Sequence, residues 1–332
     1  MSFNDIVGQK DAKELLKNAI KMGNVSHAYI ISGEAGSGKK MLANAFAQML
    51  LCENPTEHDA CCQCHSCKQA MSFNNPDILY VNREDDKKQL GVDVIREKIN
   101  NDVVIKPYSN KYKVYIVDEA EKMNQQAQNA LLKTIEEPPE YAVIILLTAN
   151  HNSFLQTILS RCVTITMKPI EDSLIKKTLQ EKYSVVDYQS EIVASFAQGN
   201  LGKAISLTLD NSFNDMKADI TRLIKKASKI DEYEVQDAVK LWATYKAQTD
   251  QILDLITLWF RDVLLYKATG QEIHLIFKED LYDIKEQASN CSYSGLDAIF
   301  NAIDEARTRY NANVNYELML ELLILAIKEN TK

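Results

Sequence analysis

The chain has 332 residues, which is enough for two or three domains of ordinary size. Its 10 glycines and 6 prolines are few, so collagen-like, linker-rich and turn-dense all-β proteins are excluded and helices are favoured. The contents of 46% apolar and 25% charged residues are typical of a globular protein, and the net charge of −8 excludes a chain covered with nucleic-acid-binding surface. A local basic patch remains compatible with that charge.

The N-terminal residues lack the basic stretch, apolar core and small-residue cleavage site of a signal peptide. No stretch approaches the roughly 18 uninterrupted apolar residues that span a bilayer, and the nearest, residues 318–327, is short and contains Glu321. We therefore expect a soluble cytoplasmic protein that makes no membrane contact. Four of the seven cysteines are clustered, which indicates a metal site in a reducing compartment.

The first half of the chain alternates short apolar runs with helical patterns. Strands are predicted at residues 28–32, 78–81, 114–117, 143–148 and 163–167. Helices are predicted at residues 9–22, 39–51, 92–101 and 124–136. Because the strands are apolar almost throughout and helices separate them, they indicate a parallel sheet that is covered on both faces. The sequence therefore predicts a doubly wound α/β domain ending near Lys168.

Helical periodicity replaces the strand pattern after Pro169. Short helices are predicted at residues 172–183 and 190–196, and another begins near Lys203. Apolar residues recur at steps of three and four along residues 252–264, which indicates one broad apolar helix face. The same spacing recurs at residues 296–303, and residues 318–327 are predicted to form a helix buried nearly all round. The large apolar side chains of this half belong to a core or to a subunit interface: Trp242, Trp259 and Phe260.

A glycine-rich loop, GEAGSGKK at residues 33–40, follows the first predicted strand. Gly33, Gly36 and Gly38 let successive backbone N–H groups face a phosphate, and Lys39 reaches its oxygens at the start of a helix. The next position normally carries the Ser or Thr that ligates magnesium, but here it is Lys40, which cannot coordinate a metal. The loop predicts a nucleotide site without self-sufficient hydrolysis, or alternatively a glycine turn that binds no ligand.

The predicted strand at residues 114–117 ends in Asp118 and Glu119. In phosphate-loop enzymes the first carboxylate helps to hold magnesium and the second can orient the attacking water. Taken alone, the pair would be a solvated acidic strand end. Together with the loop it predicts a nucleotide site, although the chemistry needs the magnesium that Lys40 opposes.

Four cysteines have the spacing C-x8-C-x2-C-x2-C: Cys52, Cys61, Cys64 and Cys67. Four thiolates can surround Zn²⁺ tetrahedrally and leave no open position, so we predict a structural zinc module at residues 52–67. Free cysteines packed in the core are the alternative. Cys62 and His65 are less natural ligands because they adjoin Cys61 and Cys64.

With these motifs in order, the chain resembles the clamp-loader branch of the AAA+ ATPases, in particular the delta-prime subunits of bacterial DNA polymerase III. Further matching segments are FNDIVGQ at 3–9, HAY at 27–29, NALLKTIEEPP at 129–139 and SRC at 160–162. The resemblance covers most of the first two hundred residues by specific motifs and the rest by architecture and length.

The resemblance implies a chain of three parts. An α/β AAA+ P-loop domain would occupy residues 1–168, a small helical lid 169–210 and an all-α collar 211–332. The collar of this family assembles a five-subunit ring with gamma/tau motor subunits and delta, and the ring places the sliding clamp on primed DNA. The delta-prime member looks like a stationary partner rather than a motor.

The resemblance also implies a role for Arg161 of the Ser-Arg-Cys motif. In the family this arginine reaches the γ-phosphate of ATP bound by a neighbouring subunit, where its fork of donors neutralises charge in trans. The alternative is an arginine in a local ion pair. Thr148 matches a residue that senses the γ-phosphate, but a strand-end Thr needs no such function.

Gly202 lies where motor subunits carry an arginine that touches their own nucleotide, and Lys203 would substitute if the register shifted. We therefore expect a stationary subunit. A self-sufficient motor subunit of the gamma/tau kind is the alternative. A zinc-dependent DNA-binding protein is disfavoured by the acidic balance and by the lack of a basic, aromatic-interleaved segment near the cysteines.

Overall fold

The computed structural model describes residues 2–83, 89–273, 275–312 and 314–331. The chain divides into two compact units. The first comprises Met1–Leu174 and Gly199–Lys203, and the second comprises Ile175–Gln198 and Ala204–Lys332. The segment Gly199–Lys203, placed in the lid by the sequence, thus belongs to the α/β unit, while the division into domain, lid and collar stays a prediction.

The first unit contains a five-stranded parallel sheet within the described residues. Its strands are β1 (Ala28–Ser32), β2 (Ile78–Val81), β3 (Lys113–Val117), β4 (Ala142–Thr148) and β5 (Val163–Thr166). They lie in the order β2-β3-β4-β1-β5, and Ser32 pairs with Thr148 and Thr166. The carboxyl ends of β4, β1 and β5 therefore meet at one edge. The predicted parallel sheet is confirmed, and each strand matches its predicted bounds to within one residue.

Helices cover both faces of this sheet. They are α1 (Lys10–Lys21), α2 (Lys39–Leu50), α3 (His65–Met71), α4 (Val92–Ile95), α5 (Gln125–Glu136) and α6 (Gln156–Leu159). Side chains of β1 alternate between two apolar clusters, with Tyr29 and Ile31 on the side of α1 and α2, and Ile30 on the side of α5. The doubly wound arrangement is therefore confirmed.

Three details of the helices differ from the sequence prediction. The single helix predicted at 92–101 is α4 followed by a π-helical stretch, Arg96–Asn100. The short helices α3 and α6 were not predicted, because four to seven residues are too few to show an apolar period. Brief 3₁₀ turns occur at Phe3–Asp5, Ala120–Lys122 and His151–Ser153.

The remaining chain is helical, as predicted. The helices are α7 (Asp172–Tyr183), α8 (Asp187–Ala197), α9 (Leu201–Leu209), α10 (Asn211–Lys225), α11 (Glu232–Ala243), α12 (Thr249–Thr269), α13 (Leu281–Asn290), α14 (Tyr293–Asn311) and α15 (Tyr316–Asn330). Trp242, Trp259 and Phe260 are fully buried, so these side chains belong to the core of the second unit. None of the helices in the described residues combines the length and the apolar character needed to cross a bilayer.

The expectation that residues 318–327 would be buried nearly all round is wrong. Leu318 and Leu322 are 49% and 41% exposed, whereas Leu320, Leu323 and Ile324 are buried. Because positions four apart lie on one face of a helix, the two exposed leucines share the side opposite the core. α15 is therefore amphipathic despite its apolar sequence.

Candidate nucleotide, metal and arginine sites

The glycine-rich loop lies between β1 and α2 at the carboxyl edge of the sheet. Gly36 and Gly38 have φ values of +83° and +93°, a conformation that glycine adopts without strain. Gly38 directly precedes α2, which begins at Lys39. The strand, loop and helix are thus arranged as the sequence predicts for a phosphate-binding loop.

The two lysines of the loop are engaged within the chain. Lys39 Nζ donates hydrogen bonds to the carbonyl oxygens of Gly33 at 2.6 Å and of Glu34 at 2.7 Å. Burial lowers the pKa of Lys39, and the carboxylates of Glu121, Asp118 and Glu34 oppose that shift. Lys40 Nζ lies 3.2 Å from Asp118 Oδ2 at the end of β3.

A cleft of about 390 Å³ separates the loop from the end of β3. Six predicted site residues line it: Gly36, Gly38, Lys39, Lys40, Asp118 and Glu119. Glu121 lines it as well and had not been predicted. The structure therefore brings together the loop and the strand-end carboxylates, which are 78 residues apart at the Lys40–Asp118 pair.

Two predicted nucleotide-site residues, Gly33 and Thr148, are not among the residues that line the cleft. The Gly33 N–H donates to the carbonyl oxygen of Thr148 at 3.0 Å, which ties the loop to β4. Thr148 is fully buried, and its hydroxyl accepts a hydrogen bond from the Asn150 N–H at 3.0 Å. The Thr148 hydroxyl thus stabilises the turn that follows β4. Its role in sensing the γ-phosphate stays a prediction.

The residues of the cleft do not fit a magnesium ion. Magnesium takes oxygen ligands in near-octahedral geometry, whereas Lys40 brings an ammonium to the position of the usual hydroxyl ligand. Both oxygens of Asp118 are already engaged, Oδ2 by Lys40 and Oδ1 by the Glu119 N–H at 3.0 Å. We therefore derive no metal-dependent step for this cleft.

The segment Gly199–Lys203 packs directly against the loop. Gly202 N–H donates to the Gly36 carbonyl at 3.1 Å, and Asn200 Nδ2 donates to the Ala35 carbonyl at 2.7 Å. A Cβ on Gly202 would lie 2.4 Å from the Gly36 oxygen, so only glycine permits this approach. The backbone of Gly202 thus contacts the loop directly, and the expectation that a motor subunit carries an arginine at this position stays a prediction. The part played by Asn200 was missed, because a lone Asn carries no motif in the sequence.

The four predicted cysteines form one cluster. Their Sγ atoms all lie within 4.8 Å of one another, and Cys61 Sγ is 3.9 Å from Cys67 Sγ. Zn–S bonds of about 2.3 Å in a tetrahedron place sulfurs roughly 3.8 Å apart, so the cluster fits Zn²⁺. Backbone N–H groups of Gln63 and Cys64 lower the pKa of the Cys61 thiol to about 6, whereas burial raises the pKa of the Cys52 and Cys67 thiols.

Neighbouring groups support this ligand set. Cys62 has a φ of +57°, and its sulfur accepts a hydrogen bond from Gln48 Nε2 at 3.5 Å. It is not part of the metal-binding group that the described residues form, and neither is His65. The carboxylate of buried Asp59 accepts from the N–H groups of Phe3 and Asn4, so the cysteine loop also anchors the N-terminal turn.

Arg161 lies between α6 and β5. It is not among the residues that line the cleft between the glycine-rich loop and the end of β3. Its guanidinium is 3.1 Å from Glu136 Oε1, and it donates to the Thr157 carbonyl at 3.0 Å and to Ser160 Oγ at 3.3 Å. The side chain is 41% exposed. The local ion pair thus exists, but it leaves the guanidinium accessible to solvent.

Two protein-family descriptions match the chain. Residues 8–171 match "DNA polymerase III, delta subunit", and residues 215–329 match "DNA polymerase III, delta subunit, C terminal". The chain belongs to the delta-prime family of DNA polymerase III clamp-loader subunits. The resemblance seen in the motifs is therefore confirmed.

The chain is also similar to individual subunits of DNA polymerase III. The chain is 28% identical to the Bacillus subtilis DNA polymerase III subunit delta', over 97% of this chain and 96% of that protein. It is 34% identical to the B. subtilis subunit tau over 81% of this chain, and the match spans about half (51%) of tau. Among solved structures, a gamma subunit-related protein from Thermotoga maritima is 22% identical with a TM-score of 0.44, covering 97% of this chain and 100% of that one.

Proposed function

We propose that this clamp-loader subunit is a stationary partner that supplies Arg161 to the ATP site of a neighbouring gamma/tau motor subunit. The observation that carries the proposal is the placement of Arg161, which is 41% exposed and lies outside the lining of the chain's own cleft. A guanidinium in that place serves a nucleotide held by another chain.

The chemistry suits an arginine. Charge spreads over the oxygens of the transferred phosphoryl group, and a guanidinium stays protonated while offering several donors in a fixed fork. The contacts to Thr157 and Ser160 are at most 3.3 Å long and engage NH1, while Glu136 engages NH2. These contacts limit the orientations of the side chain before a neighbour arrives, which reduces the entropy lost on docking.

The chain's own cleft supports the stationary role. Hydrolysis in this class of site depends on a metal and on a positioned water. Here Lys40 and Asp118 form an ion pair where the metal would be held, and the segment Gly199–Lys203 brings no arginine to the loop at Gly202. These features support the proposal that the chain is not a self-sufficient ATPase.

The partners follow from this role. We propose a five-subunit ring with gamma/tau and delta, which loads the sliding clamp onto primed DNA through the assembled complex. Zn²⁺ held by the four cysteines would stabilise the loop at the end of α2 and would take no part in chemistry, because no coordination position is left open.

The test is the DNA-stimulated ATP turnover of a loader reconstituted with gamma/tau, delta and this chain. Arg161→Ala is expected to reduce hydrolysis about 10³-fold at the one ATP site that Arg161 serves. The total ATP turnover of the loader should therefore fall by the fraction that this site contributes. Arg161→Lys keeps the charge but loses the fork and should be only partly active. Lys21→Ala, which removes an exposed lysine paired with Glu57, is the control. Unchanged turnover with Arg161→Ala would refute the proposal.

A motor subunit of the gamma/tau kind is the second candidate, favoured by the 34% identity to tau and by the retained Lys39 loop. It predicts ATP turnover by the isolated chain, which Lys39→Ala would abolish. The stationary role predicts no turnover above background in that assay.

A further inference from the structure

The helix α1 carries a row of lysines that the stationary role does not use. Lys10, Lys13 and Lys17 are spaced three and four residues apart on this helix. At about 3.6 residues per turn, the three positions fall within roughly 60° of the helix circumference, so they share one face. α1 therefore concentrates positive charge on one face, although the whole chain has a net charge of −8.

None of these three lysines forms an ion pair with a carboxylate of the described residues. Lys13 Nζ donates to the neutral carbonyl oxygen of Ile6 at 3.0 Å. Lys17 Nζ lies 5.2 Å from the centre of the Phe3 ring, and Lys10 is exposed at the start of the helix. The positive charge of the row is therefore left for a partner outside the chain.

The lysines of the row also repel one another. Burial and the charge of Lys17 lower the pKa of Lys13, and the charge of Lys10 contributes to that shift. The buried carboxylate of Asp59 opposes the shift without cancelling it. An anion that contacts several of these ammonium groups at once would relieve the repulsion between them.

Two of the acidic side chains beside the row are paired with other cations. Asp11 pairs with Lys168, and Glu57 pairs with Lys21 at the last turn of α1. Lys21 is therefore neutralised locally and is not part of the row. Glu14 is exposed on α1, so three lysines against one glutamate leave an excess of two positive charges.

The chemistry of the row favours the backbone of duplex DNA. Lysines act as point charges on phosphates and carry no base readout, and α1 contains no aromatic residue on which the bases of a single strand would stack. The row is about 10 Å long at a rise of about 1.5 Å per residue, which matches roughly three phosphates of one strand of a duplex. The proposed function brings the chain to primed DNA, which contains such a duplex.

We propose that Lys10, Lys13 and Lys17 form a surface that contacts the phosphates of duplex DNA without regard to its sequence. The contact is weak in the isolated chain, because three cations release few counterions. This proposal rests on the proposed function only in the presence of primed DNA and does not depend on Arg161. Arg161→Ala should bind duplex DNA as the wild type does, so the two proposals can fail separately.

The test is the fluorescence anisotropy of a labelled duplex of about 20 base pairs, titrated with the full chain at several KCl concentrations. With three phosphate contacts, the affinity should fall roughly 80-fold between about 20 and 100 mM KCl. Lys10→Gln/Lys17→Gln leaves one contact, so its affinity should fall only about fourfold over the same range. Lys177→Gln/Lys240→Gln is the control, because it removes two exposed lysines elsewhere and changes the net charge equally. It should keep the salt dependence of the wild type.

Several outcomes would overturn the proposal. These are no binding by the wild type at the lowest salt, equal salt dependence of the two double variants, and tighter binding of the corresponding single strand. Displacement of the duplex by polyglutamate at equal charge concentration would assign the row to an acidic protein instead. Circular dichroism confirms the folding of each variant. If Lys10→Gln/Lys17→Gln does not fold, Lys10→Gln alone decides, and it should reduce the 80-fold change to about 20-fold.

Discussion

The phosphate loop and the region around Arg161 both present positively charged side chains, but these side chains lie in different surroundings. At the loop, Lys39 is bonded to loop carbonyls and Lys40 to Asp118, so both cations are directed toward the chain's own cleft. Arg161 lies outside that cleft and remains 41% exposed despite its pairing with Glu136. The difference agrees with the proposed role, in which the chain lacks a metal site for its own hydrolysis and presents Arg161 to a neighbouring chain.

The largest effect is expected at the four-cysteine cluster, where we propose that Zn²⁺ stabilises the local fold. The double variant Cys61→Ser/Cys67→Ser should lose its zinc and the protection of residues 52–71, since structural zinc in small modules contributes about 10–16 kcal/mol. Metal content and hydrogen exchange measure the two losses. Because Cys52 follows the last turn of α2, the loss should loosen the phosphate-loop side and leave the exchange around Arg161 unchanged.

Cys62→Ser is the matched control for the zinc prediction. Cys62 is next to a ligand, but its sulfur bonds to Gln48, so this variant should keep one zinc per chain. A double variant that remains as protected as the wild type without metal would contradict the structural role of the cluster.

An intermediate effect is expected at Gly202. Gly202→Arg restores a motor-like arginine, but its Cβ would lie 2.4 Å from the Gly36 oxygen, so the segment must move off the loop. We expect the free energy of unfolding to fall by about 1–3 kcal/mol, the usual cost of overpacking, as measured by urea denaturation. Gly91→Arg is the control, since an added Cβ there meets nothing within 4 Å.

The same variant tests whether the absence of an arginine at Gly202 accounts for the proposed lack of hydrolysis. If Gly202→Arg keeps its stability and the isolated chain gains ATP turnover, the missing arginine alone separates this chain from a motor. The ion pair between Lys40 and Asp118 would then be irrelevant to hydrolysis.

The smallest effect is expected at Glu136. Glu136→Gln removes the ion pair that restrains Arg161, and exposed pairs contribute about 0–1 kcal/mol, so turnover at the site served by Arg161 should fall about fivefold at most. The fall should appear in kcat and leave KM for ATP unchanged, because Arg161 acts on the transition state. Glu137→Gln, an identical change one residue away, should have no effect. Equal effects of the two variants would exclude a positioning role for Glu136.

Much of the fold could be predicted from the sequence because its signals are local. The five strands are apolar runs bounded by helical patterns, and the cysteine ligands lie within sixteen residues of one another. The exposure of Leu318 and Leu322 could not be predicted, since an apolar helix does not reveal which side lacks a partner. The ion pair between Lys40 and Asp118 and the bond from Asn200 to Ala35 join segments far apart in the chain, so only the fold shows them.

We propose that this chain contributes to hydrolysis through Arg161 and not through its own loop. The most direct test compares Arg161→Ala with Lys39→Ala in the same reconstituted loader, with gamma/tau unchanged and DNA-stimulated ATP turnover as the measurement. We predict that Arg161→Ala removes the turnover of one motor site and that Lys39→Ala retains the turnover of the wild type. A loss with Lys39→Ala and normal turnover with Arg161→Ala would contradict the account.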